Sequence, residues 1–519
     1  MRIHRSLLWL ALLASLVSFI AVSRPTLHHW DEFAYVYAAQ QYSIQSLVNG
    51  EFESSNVPGF FNVKIGHIAV LKATAGFFGD GPTRLLGYQL FYGALIVLTG
   101  LMVAGVMVIL HRTQRPTVWL AAGIYLLVPV NVYLCGKILA ETPAAFCAML
   151  AVMTLALAVR SEAPIRRITL CGLSALALVA SMYTRVNFLL LPVGFVMALV
   201  LVPPEGLTRR GILWTSALVG ILAGVAFAVA ELVLELRLLD GLGVASVVSG
   251  QTLSLRAKLW KIAYAFGPFA LILAACIPLV RDRSVAFYLT WLACASLPMV
   301  LAFSYFEVRW LSVGAPALAA LGFLCLHRLS TVLSDRGRST TFWRSGTVAG
   351  AAFVVAIASN VFIQPRTESG FSSKEFSEAM AWADKQYPGH AVLVPWGWTI
   401  YHYMRVAYPT APTYLVNNWT FFSPQMQSTD ATSWVAALRE WYGPAYIGSL
   451  NELLTIKQRP FIAIAFNRPD SRWNDLDKSW IADDSRLTKT AVHREGDYVI
   501  YLIEGDGHLS HEARPTSPP

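Results

Sequence analysis

The chain has 519 residues, 55% of them hydrophobic and only 14% charged, with a net charge of +9. Soluble domains carry about 25% charged residues, so the composition excludes one soluble globule as the form of the whole chain. The lysines and arginines fall in short loops between apolar runs, which is the positive-inside pattern of a membrane protein and not a nucleic-acid-binding surface. Cys135, Cys147, Cys171, Cys276, Cys294 and Cys325 stand mostly within apolar runs and form no CxxC pair, which argues against a zinc site or a disulfide framework.

Met1 to Arg5 is basic and Ser6 to Val22 apolar. We read this as a retained first helix; a signal peptide ending near Ala21-Val22-Ser23 is the alternative. Either way residue 24 onward lies outside the cytoplasm. Residues 24–84 form a long loop that opens on His28-His29-Trp30-Asp31-Glu32. Asp31 to Tyr42 has helical character, Asn49 to Gly59 is rich in turn residues, and Ile65 to Phe78 is apolar but carries Lys64, His67 and Lys72 at or near its start and middle. That last segment is expected to lie in the interface, not to cross the bilayer.

Apolar runs then alternate with basic loops. They cover Leu85 to Leu110, Val118 to Leu134, Ile138 to Val159, Ile168 to Tyr183, Val186 to Val202, Ile212 to Leu236, Ile262 to Val280, Val285 to Phe303, Trp310 to Leu326 and Thr347 to Ile363. Lengths near 20 residues suit helices crossing a bilayer. With the N-terminus inside, the loops around Arg112, Arg167, Arg210, Arg283 and Arg338 all fall on the cytoplasmic side. The expectation is a polytopic α-helical membrane domain over residues 1–363, with about eleven spans.

Residues 364–507 change character. Lys374 to Gln386 reads as a helix, and Ala391 to Pro395, Phe461 to Phe466 and Tyr498 to Ile503 as strands. This predicts a soluble extracytoplasmic α/β domain. Residues 508–519 are a polar tail expected to be disordered.

The topology brings distant ionisable residues to the outer face: Asp31, Glu32 and Lys64 from the first loop, Lys137 and Glu141 from the second, Arg185 from the third, Arg256, Lys258 and Lys261 from the fourth, Glu307 and Arg309 from the fifth. Charges at membrane depth mark function. This set suits glycosyl transfer from a polyprenyl-phosphate sugar. Lys and Arg would hold the phosphate leaving group, and a carboxylate, best Asp31, would take the proton of the acceptor hydroxyl. A divalent cation between Asp31 and Glu141 is compatible with hard oxygen ligands, although no spacing requires one.

The stretches HHWDEFAYVYAAQQY, NVKIGHIAVLKATAGFFGDGPTRLLGYQL, GKILAETPAAFCAMLA, TRVNFLLLP and FEVRWLSVGAPALAALG resemble the GT-C membrane glycosyltransferases, in the branch of protein O-mannosyltransferases and aminoarabinose transferases. The resemblance spans about residues 1–330. It implies a catalytic carboxylate at Asp31, a lipid-phosphate lysine at Lys64 with Ile65-Gly66 where the family has two prolines, an acid at Glu141 and an Arg-aromatic pair at Arg309-Trp310. It also implies a polyprenyl-phosphate sugar donor and an extracytoplasmic glycan, lipid or protein acceptor.

Plainer readings stand beside these. Asp31-Glu32 suits a helix N-terminus. Lys64 and Lys72 suit snorkelling to headgroups, Arg185 a topology anchor, Glu141 a pair with Lys137 one turn earlier, and Glu307 with Arg309 an interfacial ion pair. His28, His29 and His67 lack metal-ligand spacing, and Trp396, Trp398 and Trp419 suit packing. The rival function is a transporter or flippase with these charges along its path. Matching Gly/Pro-broken helices in two halves would favour it, and none is found.

Overall fold

The computed structural model describes residues 30–49, 64–79, 81–111, 116–239, 254–267, 269, 281–302, 307–335, 373–395, 397–416, 443–467 and 474–505. The expected first span, most of the run at 262–280, the run at 347–363, the tail at 508–519, His28, His29, Trp419 and the Asp31 side chain lie outside the described residues.

Among the described residues three helices precede the first long one: α1 (Trp30–Gln41), α2 (Ile44–Val48) and α3 (Ile65–Ala75). At about 1.5 Å per residue the 11-residue α3 reaches roughly 16 Å, too short to cross a bilayer. It is seated on protein, with Ile65, His67, Ile68 and Leu71 buried, against α1 and the later α8.

The membrane domain continues with α4 (Gly81–His111), α5 (Leu120–Leu127), α6 (Pro129–Leu134), α7 (Glu141–Arg160), α8 (Pro164–Thr184), α9 (Leu190–Leu201), α10 (Arg209–Leu232), α11 (Leu255–Phe266), α12 (Arg283–Ala302) and α13 (Ala315–Asp335). Six segments among the described residues are long and apolar enough to span a membrane: 83–111, 141–160, 164–184, 209–232, 283–301 and 308–325. The chain is a multi-pass membrane protein. The run at 118–134 is not one helix. Pro129 pushes Val128 out of the helical region (φ −59°, ψ 126°), which splits the run into α5 and α6. Around Arg185 the chain turns through a 3₁₀ segment, Val186–Leu189, before α9.

Helix contacts follow the rules of an apolar solvent, where small residues and buried hydroxyls replace the hydrophobic drive. A Cβ on Gly194 of α9 would meet the Ala295 backbone of α12 at 2.8 Å, and Trp291 Nε1 donates across the same contact to the Leu191 carbonyl at 3.0 Å. Between α7 and α8, Ser174 donates to the Ala151 carbonyl at 2.9 Å and Ser181 to that of Ala144 at 3.0 Å.

The C-terminal domain is α/β. It holds α14 (Ser373–Gln386), β1 (Ala391–Val394), α15 (Gly397–Ala407), β2 (Thr413–Leu415), α16 (Leu450–Thr455), β3 (Phe461–Phe466), α17 (Trp480–Asp483), β4 (Leu487–Glu495) and β5 (Tyr498–Gly505). The strand order is β2-β1-β3-β5-β4. β1 runs parallel to β2 and β3, and β5 lies antiparallel to β3 and β4. The period of two sorts the strands onto two faces. Ala391, Leu393, Phe461, Ala463 and Ile503 enter a local core with Leu453 and Ile481. Val392, Ile462, Ile464 and Ile500 enter the core that runs on into the membrane domain. The join is α15, which packs on α1 and reaches α4. The C-terminal domain therefore braces the helix that carries Asp31 and Glu32.

Candidate active site

The site is assembled by register. The Ser181–Ala144 hydrogen bond fixes how α7 and α8 run past each other. Glu141 lies three residues before Ala144 and Arg185 four beyond Ser181, so both emerge at the same end of the hairpin. Arg185 Nε stands 3.5 Å from Glu141 Oε1. The 3₁₀ segment Val308–Gly314 brings Arg309 to the same oxygen at 3.3 Å, and Arg309 Nε also lies 2.6 Å from Glu307 Oε2. Trp310 closes the group, with the Arg185 guanidinium 5.0 Å from its ring centroid, a cation–π distance.

α1 and α3 complete the cluster from above. Glu32 and Tyr35, one helical turn apart, share a face of α1, and both are buried. Lys64 Nζ lies 5.0 Å over the Tyr35 ring. His67 packs edge-on to Tyr35 and shares a 2.9 Å hydrogen bond between Nδ1 and the Tyr92 hydroxyl. The start of α3, which carries Lys64, is seated on the end of α8, just before Arg185: a Cβ on Gly66 would fall 2.9 Å from the Thr184 amide nitrogen and the Tyr183 carbonyl carbon. The Ile65-Gly66 pair thus has a reason of its own, because only glycine lets α3 sit directly on the end of α8.

Lys137 enters from the loop between α6 and α7. Its ammonium donates to the Tyr133 carbonyl at 2.6 Å and lies 4.0 Å over that residue's ring. Burial is the larger influence on this amine and lowers its pKa to about 8, while the nearby Glu32 carboxylate pulls the other way. Tyr133 feels the charges of Arg309, Glu307, Glu32 and Glu141 together. One neighbourhood therefore holds residues separated by almost 280 positions. Burial is near complete for Glu32 (0% exposed), Glu141 (1%) and Arg309 (4%).

Six of the seven residues expected from the sequence have described side chains: Glu141, Arg185, Glu307 and Arg309 meet one another, Glu32 lies near Lys137 and Tyr133, and Lys64 lies over Tyr35, one turn along α1 from Glu32. Asp31 lies in the first turn of α1 beside Glu32. Two plainer readings change. Glu141 turns to Arg185 and Arg309, and Lys137 to Tyr133, because Gly136 (φ +73°) and an irregular stretch through Leu139 break the helix between them. The one-turn spacing of a continuous helix does not exist there. Lys72 does not snorkel: its ammonium donates to the carbonyls of Ala39 at 2.8 Å and Tyr42 at 2.7 Å, closing the end of α1. Tyr35, Tyr133, His67 and Tyr92 are not among the site residues expected from the sequence. Only the four-residue spacing of Tyr133 and Lys137 hinted at one of them.

Of the residues considered for a divalent cation, Glu141 already faces two guanidinium groups through Oε1, a poor setting for a dication. Among the described residues there is no group of three His, Cys, Asp or Glu side chains placed to hold a metal, and no step is routed through one.

No family model and no curated protein matches this chain. Among solved structures, it is similar to ArnT from Cupriavidus metallidurans bound to undecaprenyl phosphate, with a TM-score of 0.60 at 15% identity over 98% of this chain and 99% of that one. It is also similar to the arabinofuranosyltransferase AftD from Mycobacteria, with a TM-score of 0.52 at 16% identity over 97% of this chain and 40% of that one. The chain has the fold of the GT-C membrane glycosyltransferases.

Proposed function

We propose that this protein is an inverting membrane glycosyltransferase that moves a sugar from a polyprenyl-phosphate donor to an acceptor hydroxyl on the extracytoplasmic side. The observation that carries this reading is the largely buried cluster at one end of the helices, in which Arg185 and Arg309 share Glu141, Arg309 also meets Glu307, Glu32 lies near Lys137, and Lys64 stands over Tyr35 on the face of α1 that Glu32 shares. The likeness to a structure holding undecaprenyl phosphate supports the donor class.

In this reading Asp31 accepts the proton of the acceptor hydroxyl as its oxygen attacks the anomeric carbon. The bond from that carbon to the phosphate oxygen breaks on the opposite face, which inverts the configuration. Polyprenyl phosphate leaves as an anion, so it needs cationic stabilisation more than protonation. Lys64, Arg185 and Arg309 supply it. Glu141 and Glu307 hold the two guanidinium groups in place before the donor arrives, and Glu32 balances Lys137. The acceptor is a glycan, lipid or protein group that reaches the site beneath the C-terminal domain.

The protein reconstituted in vesicles with a labelled polyprenyl-phosphate sugar and an envelope-lipid extract separates this reading from a transporter or flippase. Label moving onto an acceptor with release of polyprenyl phosphate supports the enzyme. Label that only crosses the bilayer, chemically unchanged, overturns it.

A further inference from the structure

A polar cavity lies at the far end of the same helices. It has a volume of about 190 Å³ and opens between the last turns of α4 and α7, the loop after α9 and the start of α12. α7 is 20 residues long, with Glu141 at one end and Arg160 at the other. That is about 30 Å of helix, the thickness of the hydrocarbon core. The cavity therefore faces the leaflet opposite the reaction centre.

Its lining is divided. Arg160 and Arg283 contribute positive charge, and Glu205 is the one carboxylate among the lining residues. The Arg160 guanidinium donates to the Leu110 carbonyl, which fixes its position at the mouth. His111 and Ser284 meet at 3.2 Å across the gap between α4 and α12. The rest of the wall is apolar: half-buried Val202 with the buried Leu110, Pro204 and Phe287, and exposed Leu201 beside it on the outside of α9. A free inorganic anion has no use for such a wall. An amphiphile has, and basic pockets between helices on this side of a membrane suit acidic headgroups.

We propose that this cavity binds the phosphate head of an anionic phospholipid from the leaflet opposite the reaction centre. Arg160 and Arg283 contact the phosphate, and Val202 and Leu201 cover the first carbons below it. None of these residues belongs to the transfer site, so the inference stands apart from the proposed chemistry.

The test is native mass spectrometry of the full-length protein in detergent, titrated with phosphatidylglycerol, phosphatidylcholine or inorganic phosphate. We expect one phosphatidylglycerol to be retained in preference to phosphatidylcholine, with about five-fold weaker retention in Arg160→Gln and in Arg283→Gln and tighter retention in Glu205→Gln, at about 1 kcal/mol per charge near the surface. Arg210→Gln, an exposed arginine outside the cavity, should leave retention unchanged. Because Arg160 also closes the end of α4, the exposed Arg283 and Glu205 variants carry the test if Arg160→Gln does not assemble. Equal retention in Arg283→Gln and the parent, equal loss in Arg210→Gln, no preference over phosphatidylcholine, or displacement of the lipid by inorganic phosphate would each overturn the proposal.

Discussion

The two ends of the helical domain use charge differently. At the end that carries the proposed reaction centre, charged side chains meet one another around a buried pair, Glu141 and Arg309: Glu141 is shared by Arg185 and Arg309, and Arg309 by Glu141 and the half-buried Glu307. At the other end they mostly serve the helices beside them. Arg160 closes the end of α4 through the Leu110 carbonyl. Arg167 turns back to the Ser161 carbonyl, 3.1 Å from Nε. Asp282 caps α12 through the Ser284 amide at 2.9 Å while pairing with half-exposed Arg328. A cation on a helix-end carbonyl satisfies the backbone. Of the side chains brought here from five separate segments, Lys137 also serves a helix end through the Tyr133 carbonyl, but Glu141, Arg185, Glu307 and Arg309 pair with one another, and burial makes holding them there costly. That cost is what distinguishes a site from maintenance of the scaffold.

The comparison sharpens first at its two carboxylates. Glu141→Gln leaves Arg185 and Arg309 buried without their shared counter-charge, and breaking such a pair costs about 3–5 kcal/mol. We expect sugar transfer to fall by at least about a hundred-fold and the melting temperature to drop. Asp282→Asn removes a partly exposed pair worth about 0–1 kcal/mol, and transfer should stay near the parent value. Similar losses in both variants would erase the distinction.

Next in size is Gly66→Ala. The added methyl would meet the backbone of Thr184 and Tyr183 below 3.0 Å, so α3 must move and carry Lys64 off the cluster. The expected result is a loss of transfer of about ten-fold or more, on the scale that small misplacements cost catalysis, in a protein that still purifies folded.

Lys72→Met is smaller. It removes two hydrogen bonds from the end of α1, each worth about 1 kcal/mol. Thermal unfolding should begin a few degrees lower, and transfer should fall less than in Glu141→Gln.

The smallest effect is in pH. With its pKa lowered to about 8, chiefly by burial, Lys137 loses its charge as the pH rises through that value, and transfer should decline on that limb. Lys137→Arg should move the decline to higher pH. The stability sign is opposite. Below about pH 8 the folded protein bears a buried ammonium. Between there and the ordinary lysine range the unfolded chain binds more protons, so this residue's contribution to stability rises with pH.

Much of this was legible in the chain itself, where physics is local. The helix after His29, the long apolar spans and three of the five strands follow from period and length: α14 ends at Gln386, β3 covers Phe461–Phe466 and β5 starts at Tyr498 as expected, while α14 begins one residue before the expected Lys374. β2 has only three residues, and β4, Leu-Thr-Lys-Thr-Ala-Val-His-Arg-Glu, is an edge strand too polar for its alternation to show. The site's members were visible as ionisable residues at membrane depth, but their pairing was not. Glu141 and Lys137 looked like a helical pair because Gly136 does not announce its left-handed turn. The packing of α15 on α1 joins segments more than 350 residues apart, and no local pattern reports it.

The central claim is that Asp31 is the base of one reaction centre built from these five segments. The most direct test is the rate of sugar transfer by Asp31→Asn, made at normal levels in the membrane and still binding polyprenyl phosphate. The account predicts binding kept and transfer abolished; transfer at the parent rate would contradict it.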